Sequence, residues 1–193
     1  SFKENCQLVN KLYYDGVVDT APLVGFLLTL PMFITNAVFG KFAFTWETVF
    51  LSFWAGFYEE ILFRGFLFGQ LFRSGRLGFF TAILLPSLLF GMCHLYQSNG
   101  LMSALLTVGV TALGSLLFGW LYVEWNYSLW VPMSLHAFMD LSWTLFPVGV
   151  DGYGATGNIT VNIGRAITVI LAVVITIMNK KKQGRKCFDY KKF

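Results

Sequence analysis

The sequence predicts an all-α protein: a polytopic transmembrane helix bundle with no sheet. Three observations lead there. Hydrophobic residues make up 56% of the 193-residue chain. Charged residues make up only 12%, against roughly a quarter in an ordinary soluble domain. The apolar residues gather in six runs, each near the roughly 20 residues that cross a bilayer as a helix. Too few polar side chains remain to cover a water-exposed surface. The same composition excludes a disordered chain, a coiled coil and a disulfide scaffold.

The six expected spans are about 21–40, 47–72, 77–96, 101–124, 127–147 and 163–179. The first, from Ala21 to Phe39, reads as a retained span. Residues 1–20 hold Glu4, Asp15 and Asp19 rather than the basic-then-apolar order of a signal peptide. The second and third spans are separated by the short polar stretch Arg73-Ser74-Gly75-Arg76. Ser98-Asn99-Gly100 is a turn signal before the fourth span. Glu124-Trp125-Asn126 is a polar pause before the fifth. Residues 148–162 carry four Gly and two Asn and read as a loop before the sixth. Trp46, Trp120, Trp125 and Trp130 fall near span ends, where an indole sits half in water. The 21 Phe read mainly as lipid-facing mass. Gly65, Gly69, Gly114 and Gly119 read as close-packing positions between helices. No internal repeat appears, so residues 1–193 form one membrane domain.

The net charge of +4 does not point to nucleic acid. Residues 180–193 hold seven basic residues and one acid, and the rest of the chain has seven basic residues against nine acids. The excess is therefore a tail, with Lys180-Lys181-Lys182 and Arg185-Lys186 placed to flank a span or touch anionic lipid. Six spans put both termini on one side. That side holds Lys3, Lys11, Arg73, Arg76 and the tail, and the other holds Lys41 and Arg165. The positive-inside rule then makes both termini cytoplasmic. The expected location is a plasma membrane of bacterial type. Cys6, Cys93 and Cys187 form no CxxC, so neither a disulfide framework nor a cysteine zinc site is implied.

Six ionisable side chains lie well inside the spans: Glu59, Glu60, Arg64, His94, His136 and Asp140. A charge at a helix centre costs about 2.5–3.5 kcal/mol even on the lenient insertion scale. Packing alone would favour Leu or Phe at those positions. The spacing gives the reason for them. Arg64 follows Glu60 by one turn, so the two share a face and can pair. Glu59 is rotated by roughly 100° and points elsewhere. Phe90 and His94 share a face of the third span, and His136 and Asp140 share a face of the fifth. A carboxylate one turn from a histidine can steer its ring, directly or through water. Polar stripes hide from lipid by facing one another. The expected result is one polar cavity lined by Glu59, Glu60, His94, His136 and Asp140. Counted along the spans, their depths differ by roughly 10 Å, so convergence demands tilt or displaced helix ends. A carboxylate beside an imidazole is equipped to activate water. Glu59, His94 and His136 are also candidate ligands for a divalent metal such as Zn. Neither HExxH nor G-x-S-x-G occurs. Cys93 is about 100° from His94 on the helix, with nothing placed to activate it as a nucleophile.

Glu59-Glu60-x-x-x-Arg64, Phe90-x-x-x-His94 and His136-x-x-x-Asp140 resemble the three signature motifs of the CAAX-protease and bacteriocin-processing (CPBP, or Abi) intramembrane proteases. The surrounding words FYEEILFRGFLFGQL, LLFGMCHLYQ and VPMSLHAFMDL are similar to that family too. The resemblance covers about residues 45–145, within a motif-bearing core of about 45–147. It implies an all-helical membrane endopeptidase acting on a membrane-associated peptide or protein, prenylated in the eukaryotic relatives. It also implies roles. Glu59 activates water with His94 assisting, and Glu60 pairs with Arg64. His136 and position 140 stabilise the oxyanion, and Phe90 packs against the site. Many members carry Asn at the last motif position, where this chain has Asp140. The preferred mechanism needs no cofactor, and a divalent metal is its alternative. A non-catalytic scaffold or bacteriocin-immunity protein of the same fold is the rival function. A proton-coupled transporter fits less well, because matching halves with broken helices are not seen.

Overall fold

The computed structural model describes residues 17–148, 156, 157 and 159–188. Lys3, Lys11 and Cys6, most of the expected glycine-rich loop, Asn158 and the last five residues of the tail lie outside the described residues. Among the described residues there are six α-helices and no strand. They are α1 (Val17–Phe39), α2 (Trp46–Glu60), α3 (Phe79–Cys93), α4 (Leu101–Glu124), α5 (Trp130–Leu145) and α6 (Ile159–Lys182).

Three of the six expected spans are long and apolar enough to cross a bilayer on length and composition: Thr20–Phe39, Leu101–Glu124 and Ile159–Lys182. The other three are shorter or carry charge. α3 has 15 residues and α5 has 16, or about 22–24 Å at 1.5 Å per residue, less than the ~30 Å hydrocarbon core.

The boundaries differ from the sequence reading in ways with local causes. The apolar run carries the third span to residue 96, but α3 stops at Cys93. His94 leaves helical geometry at φ −95°, ψ 3°, and Leu95–Gln97 form a 3₁₀ turn. The fifth run starts at 127, but Asn126 and Tyr127 take positive φ (57° and 61°), which α-helix does not allow. α6 starts at Ile159, inside the stretch that reads as a loop, and runs to Lys182. The second span does not continue as α-helix. After Glu60 the ladder widens to π-helix over Ile61–Phe68 and Gln70–Ser74. The Gly69 N–H reaches the Arg64 carbonyl, five residues back. Such wide turns are rare and concentrate at functional sites.

The helices form two packed groups. α5 lies against α1 and α2, α1 against α6, and α3 against α4. Small polar residues tie the first group. Ser134 Oγ donates to the Ala21 carbonyl (2.8 Å), and Asn36 Nδ2 donates to the Ser142 carbonyl (3.3 Å). α2 begins with a capping box, Thr45 Oγ1 accepting from the Thr48 N–H at 3.1 Å. Gly56 lets α2 approach the backbone of α5: a Cβ there would lie 2.6 Å from the Ala137 nitrogen. That approach brings Glu59 and Glu60 beside His136.

Several surface expectations change. Phe63, Phe68, Phe72, Phe79, Phe90 and Phe118 are buried, so much of the Phe content is core rather than lipid-facing. Trp120 is buried too, and Trp125 donates its Nε1–H to Thr176 Oγ1 at 3.0 Å. Neither is a free interfacial anchor. Gly119 is closely packed against Ile83, whereas a Cβ on Gly114 would meet nothing within 4 Å.

Candidate functional site

The deepest layer is a charged network with no solvent exposure. The Arg64 and Glu60 side chains are both 0% exposed, with Nη1 and Oε1 2.9 Å apart. The Arg64 guanidinium is held between two aromatic faces, 4.6 Å from the Phe90 ring centre and 5.1 Å from that of Phe118. A carboxylate and two π faces thus compensate its charge. The expected Glu60–Arg64 pair is therefore present, and Glu60 does more besides. Its Oε1 also accepts from His136 Nδ1 at 2.7 Å. A carboxylate bound to Arg64 is an acceptor only, so Nδ1 carries the proton.

A contact the sequence does not show is added here. His136 Nδ1 is held by Glu60 from another helix, while Asp140 one turn away faces the other ring nitrogen. Its ring lies flat on Phe118, 5.1 Å between centres and 14° between planes. The other nitrogen, Nε2, faces outward. It lies 3.8 Å from Glu59 Oε2 and 3.6 Å from Asp140 Oδ2. Both separations exceed a hydrogen bond and suit a bridging water. Glu59 Oε2 is buried with no hydrogen-bond partner among the described residues.

His94 arrives from the second motif helix, at the point where α3 ends. Its Nδ1–H donates to the Phe90 carbonyl at 2.7 Å, leaving Nε2 to accept in the neutral ring. Phe90 stands between the two histidines, its ring 4.6 Å from that of His94 and 6.2 Å from that of His136.

Glu59, His94, His136 and Asp140 all line one cavity of about 510 Å³, with Phe90 and Phe118 in its wall. Exposure rises along it. The His136 side chain is 9% exposed, Glu59 27% and Asp140 39%. Gly114 also lines it, which gives that glycine a space-making role in place of the packing role expected. Cys93 is exposed and is not among the lining residues.

The sequence reading misses Arg165, which it counts only as a charge at the far side of the membrane. In the structure it lines the same cavity, its guanidinium 4.8 Å from the Trp143 ring centre. Its place in the second turn of α6 is hidden because residues 148–162 read as a loop. Phe118 is missed as well, since one Phe in an apolar span carries no distinguishing signal.

A metal would need several donors gathered at one point. Among the described residues, no three His, Cys, Asp or Glu side chains form such a group. With His136 Nδ1 bonded to Glu60 and His94 Nδ1 to a carbonyl, the donors each ring has left are the two Nε2 atoms. The candidate set Glu59, His94 and His136 shares a cavity without gathering as ligands.

No curated protein and no solved structure matches the chain. A family model does, that of the type II CAAX prenyl endopeptidase Rce1-like proteins, over residues 41–142. The matched stretch covers more than half of the chain and contains Glu59, Glu60, Arg64, Phe90, His94, His136 and Asp140. The chain belongs to the Rce1-like family.

Proposed function

We propose that the chain is an intramembrane endopeptidase that hydrolyses a peptide bond of a membrane-associated protein or peptide with a side-chain-activated water. The observation that carries this reading is the buried oxygen of Glu59, without a hydrogen-bond partner among the described residues and 3.8 Å from His136 Nε2, in a cavity that also holds His94. The family name, a CAAX prenyl endopeptidase, supports the substrate class.

The geometry supports the following chemistry. A water beside Glu59 gives one proton to the carboxylate as its oxygen bonds to the substrate carbonyl carbon. The carbonyl oxygen becomes an oxyanion. His136 meets it through Nε2–H as the imidazolium, because Nδ1–H is already given to Glu60. The C–N bond then breaks as Glu59 returns the proton to the leaving nitrogen, giving a free carboxyl and an amine. His94 Nε2 accepts from the water and holds it against Glu59. Asp140, 3.6 Å from Nε2, orients the ring on the oxyanion side, a role that an amide oxygen can also fill. Glu60 and Arg64 hold His136 in its tautomer without touching substrate.

Glu59→Gln keeps shape but removes basicity. Cleavage of a membrane-peptide library should fall by at least about 10². Asp140→Asn should be tolerated, and exhaustive chelation should leave cleavage intact. Loss on chelation with recovery on added zinc would replace the metal-free route with a metal-dependent one. Full activity in Glu59→Gln would leave a non-catalytic scaffold or immunity protein of this fold as the better reading.

A further inference from the structure

Arg165 has no part in the chemistry proposed above, yet it stands in the wall of the same cavity. Among the described residues that line the cavity it is the single Arg or Lys. It belongs to α6, beyond the stretch that the family model matches. Its neighbours on that helix show which way it faces. Val161, Thr168 and Ala172 are buried, and Arg165 falls between them at helical spacing, on the inward stripe of α6. Ile163, Ile167 and Ile170 are exposed and form the outer stripe. A cation near the end of an apolar helix ordinarily snorkels outward to water. Arg165 instead turns inward and lies on Trp143, its guanidinium 4.8 Å from the ring centre. Lys180, Lys181 and Lys182 make the other end of α6 basic, but they stand about 22 Å or more farther along the helix. The cavity cation is separate from that group.

An inward arginine in an apolar span needs compensation for its charge. Asp140, which lines the same cavity, supplies part of it through an electrostatic interaction with Arg165. One carboxylate does not use up a guanidinium. The group presents five N–H donors in a planar fork and takes a carboxylate with two of them. The Trp143 ring holds the charge by its face without supplying a hydrogen-bond acceptor oxygen. The position of the group matters as much as its charge. His136, Asp140 and Trp143 follow one another on one face of α5, and all three line the cavity. From His136 to Trp143 the helix rises about 10 Å. An extended peptide covers that distance in about three residues.

We propose that Arg165 is the anion site of this cavity: it takes a carboxylate of the bound peptide, about three residues from the bond that is cleaved. The carboxylate belongs to the peptide's own C-terminus or to an Asp or Glu side chain. The distance to the cleaved bond rests on the peptidase reading above, whereas anion binding does not. The other charges of the cavity make the site selective. Glu59 and Asp140 repel a peptide carboxylate, and Arg165 offsets them at one place only. A carboxylate bound there fixes the register of the peptide against Glu59 and His136. A peptide with no carboxylate in reach lacks that register.

Binding and cleavage are measured separately on the full-length protein in detergent. The binding arm uses Glu59→Gln, to prevent turnover, and octanoylated Ala/Leu peptides in three forms: the free C-terminal acid, the C-terminal amide, and the amide with one Glu at successive positions. The acid, or one of the Glu peptides, should bind at least about tenfold more tightly than the plain amide, as a charge-assisted hydrogen-bonded pair does. Preference for the acid assigns the chain terminus as the source, and preference for a Glu peptide assigns a side chain. Arg165→Gln should remove the preference, and Arg165→Lys should retain part of it. The cleavage arm uses the favoured peptide, for which Arg165→Gln should raise KM with little change in kcat. If Arg165 serves only to neutralise Asp140, Arg165→Gln weakens all three forms alike and a further Asp140→Asn restores them; that result overturns the inference. Equal binding of all forms, or binding of none, overturns it too, and leaves the peptidase standing if library cleavage is still lost in Glu59→Gln. Carboxylate-selective binding that depends on Arg165, with no Glu59-dependent cleavage, keeps the anion site and sinks the peptidase reading.

Discussion

Arg64 is the residue on which the site's order depends most. It is wholly buried, paired to Glu60 and held between Phe90 and Phe118. Removing one partner of a buried pair leaves the other charge uncompensated and costs about 3–5 kcal/mol. Arg64→Met should therefore lower the unfolding free energy in detergent by that order. Arg64→Met combined with Glu60→Gln should recover much of the loss, because the substituted side chain keeps an amide oxygen for His136 Nδ1. The recovery should extend to stability but fall short in activity, since a neutral amide holds an imidazolium less well than a carboxylate. Thermal unfolding and cleavage rate on the same three preparations separate the two. At this scale the sequence is informative wherever burial of a charge demands an explanation. Glu59, Glu60, Arg64, His94, His136 and Asp140 stand out because lipid penalises them. The Glu60–His136 contact does not, because it joins residues 76 apart in sequence on different helices. No spacing rule reports a cross-helix contact. Asp140, at the same one-turn spacing that pairs Glu60 with Arg64, is the nearer partner in sequence, and it faces only the Nε2 side of the ring.

Helix packing decides whether those residues meet. Gly56 lets α2 reach the backbone of α5 at Ala137, one residue from His136. A methyl group there has no room, and overpacking of this kind costs typically about 1–3 kcal/mol. Gly56→Ala should lower stability by that amount and reduce cleavage further, because a displaced α2 separates Glu60 from His136. Gly114 is the control on α4. A Cβ there meets nothing within 4 Å, and the position lines the cavity. Gly114→Leu should leave the unfolding midpoint nearly unchanged yet impair substrate binding, raising KM through lost volume. If Gly56→Ala proves as harmless to folding as Gly114→Ala, the close α2–α5 contact is not what sets the site. The number of helices follows from the apolar runs. Their ends do not, because the deciding features are dihedral: a non-helical His94, positive φ at Asn126 and Tyr127, and a π ladder after Glu60. Those departures also answer the mismatch in depth counted along regular spans. α3 ends at His94 rather than carrying it within a continuing helix, and Tyr96 and Gln97 after it line the cavity.

The whole molecule divides its tasks between its ends. The cavity occupies one, and at the other the chain closes on itself. Lys180, 6% exposed, pairs with Glu124, 1% exposed, at 3.0 Å. The Phe188 N–H donates to the other oxygen of Glu124 at 2.9 Å, and the Phe188 ring stacks on Phe80. α6 and the following turn are thereby fastened to α4 across the base of the bundle. The core beneath them, with Phe68, Phe72, Phe79 and Tyr122, is continuous with that base and meets the cavity wall at Phe118 and Met139. Stability and chemistry should therefore respond to different substitutions. Lys180→Met leaves Glu124 buried without its cation and should cost about 3–5 kcal/mol. The cavity residues lie toward the opposite ends of their helices, so kcat of the protein that remains folded should match wild type. Glu59→Gln should do the reverse, abolishing turnover while holding the unfolding midpoint, since the Glu59 oxygen gives up no hydrogen bond within the described protein. Measuring both quantities on both variants tests the division. A fall in kcat for Lys180→Met at a temperature where the variant is fully folded would show that the basic end is coupled to the cavity through α4 and α6. In that case the tail would be part of the catalytic machinery rather than a fastening at its far end.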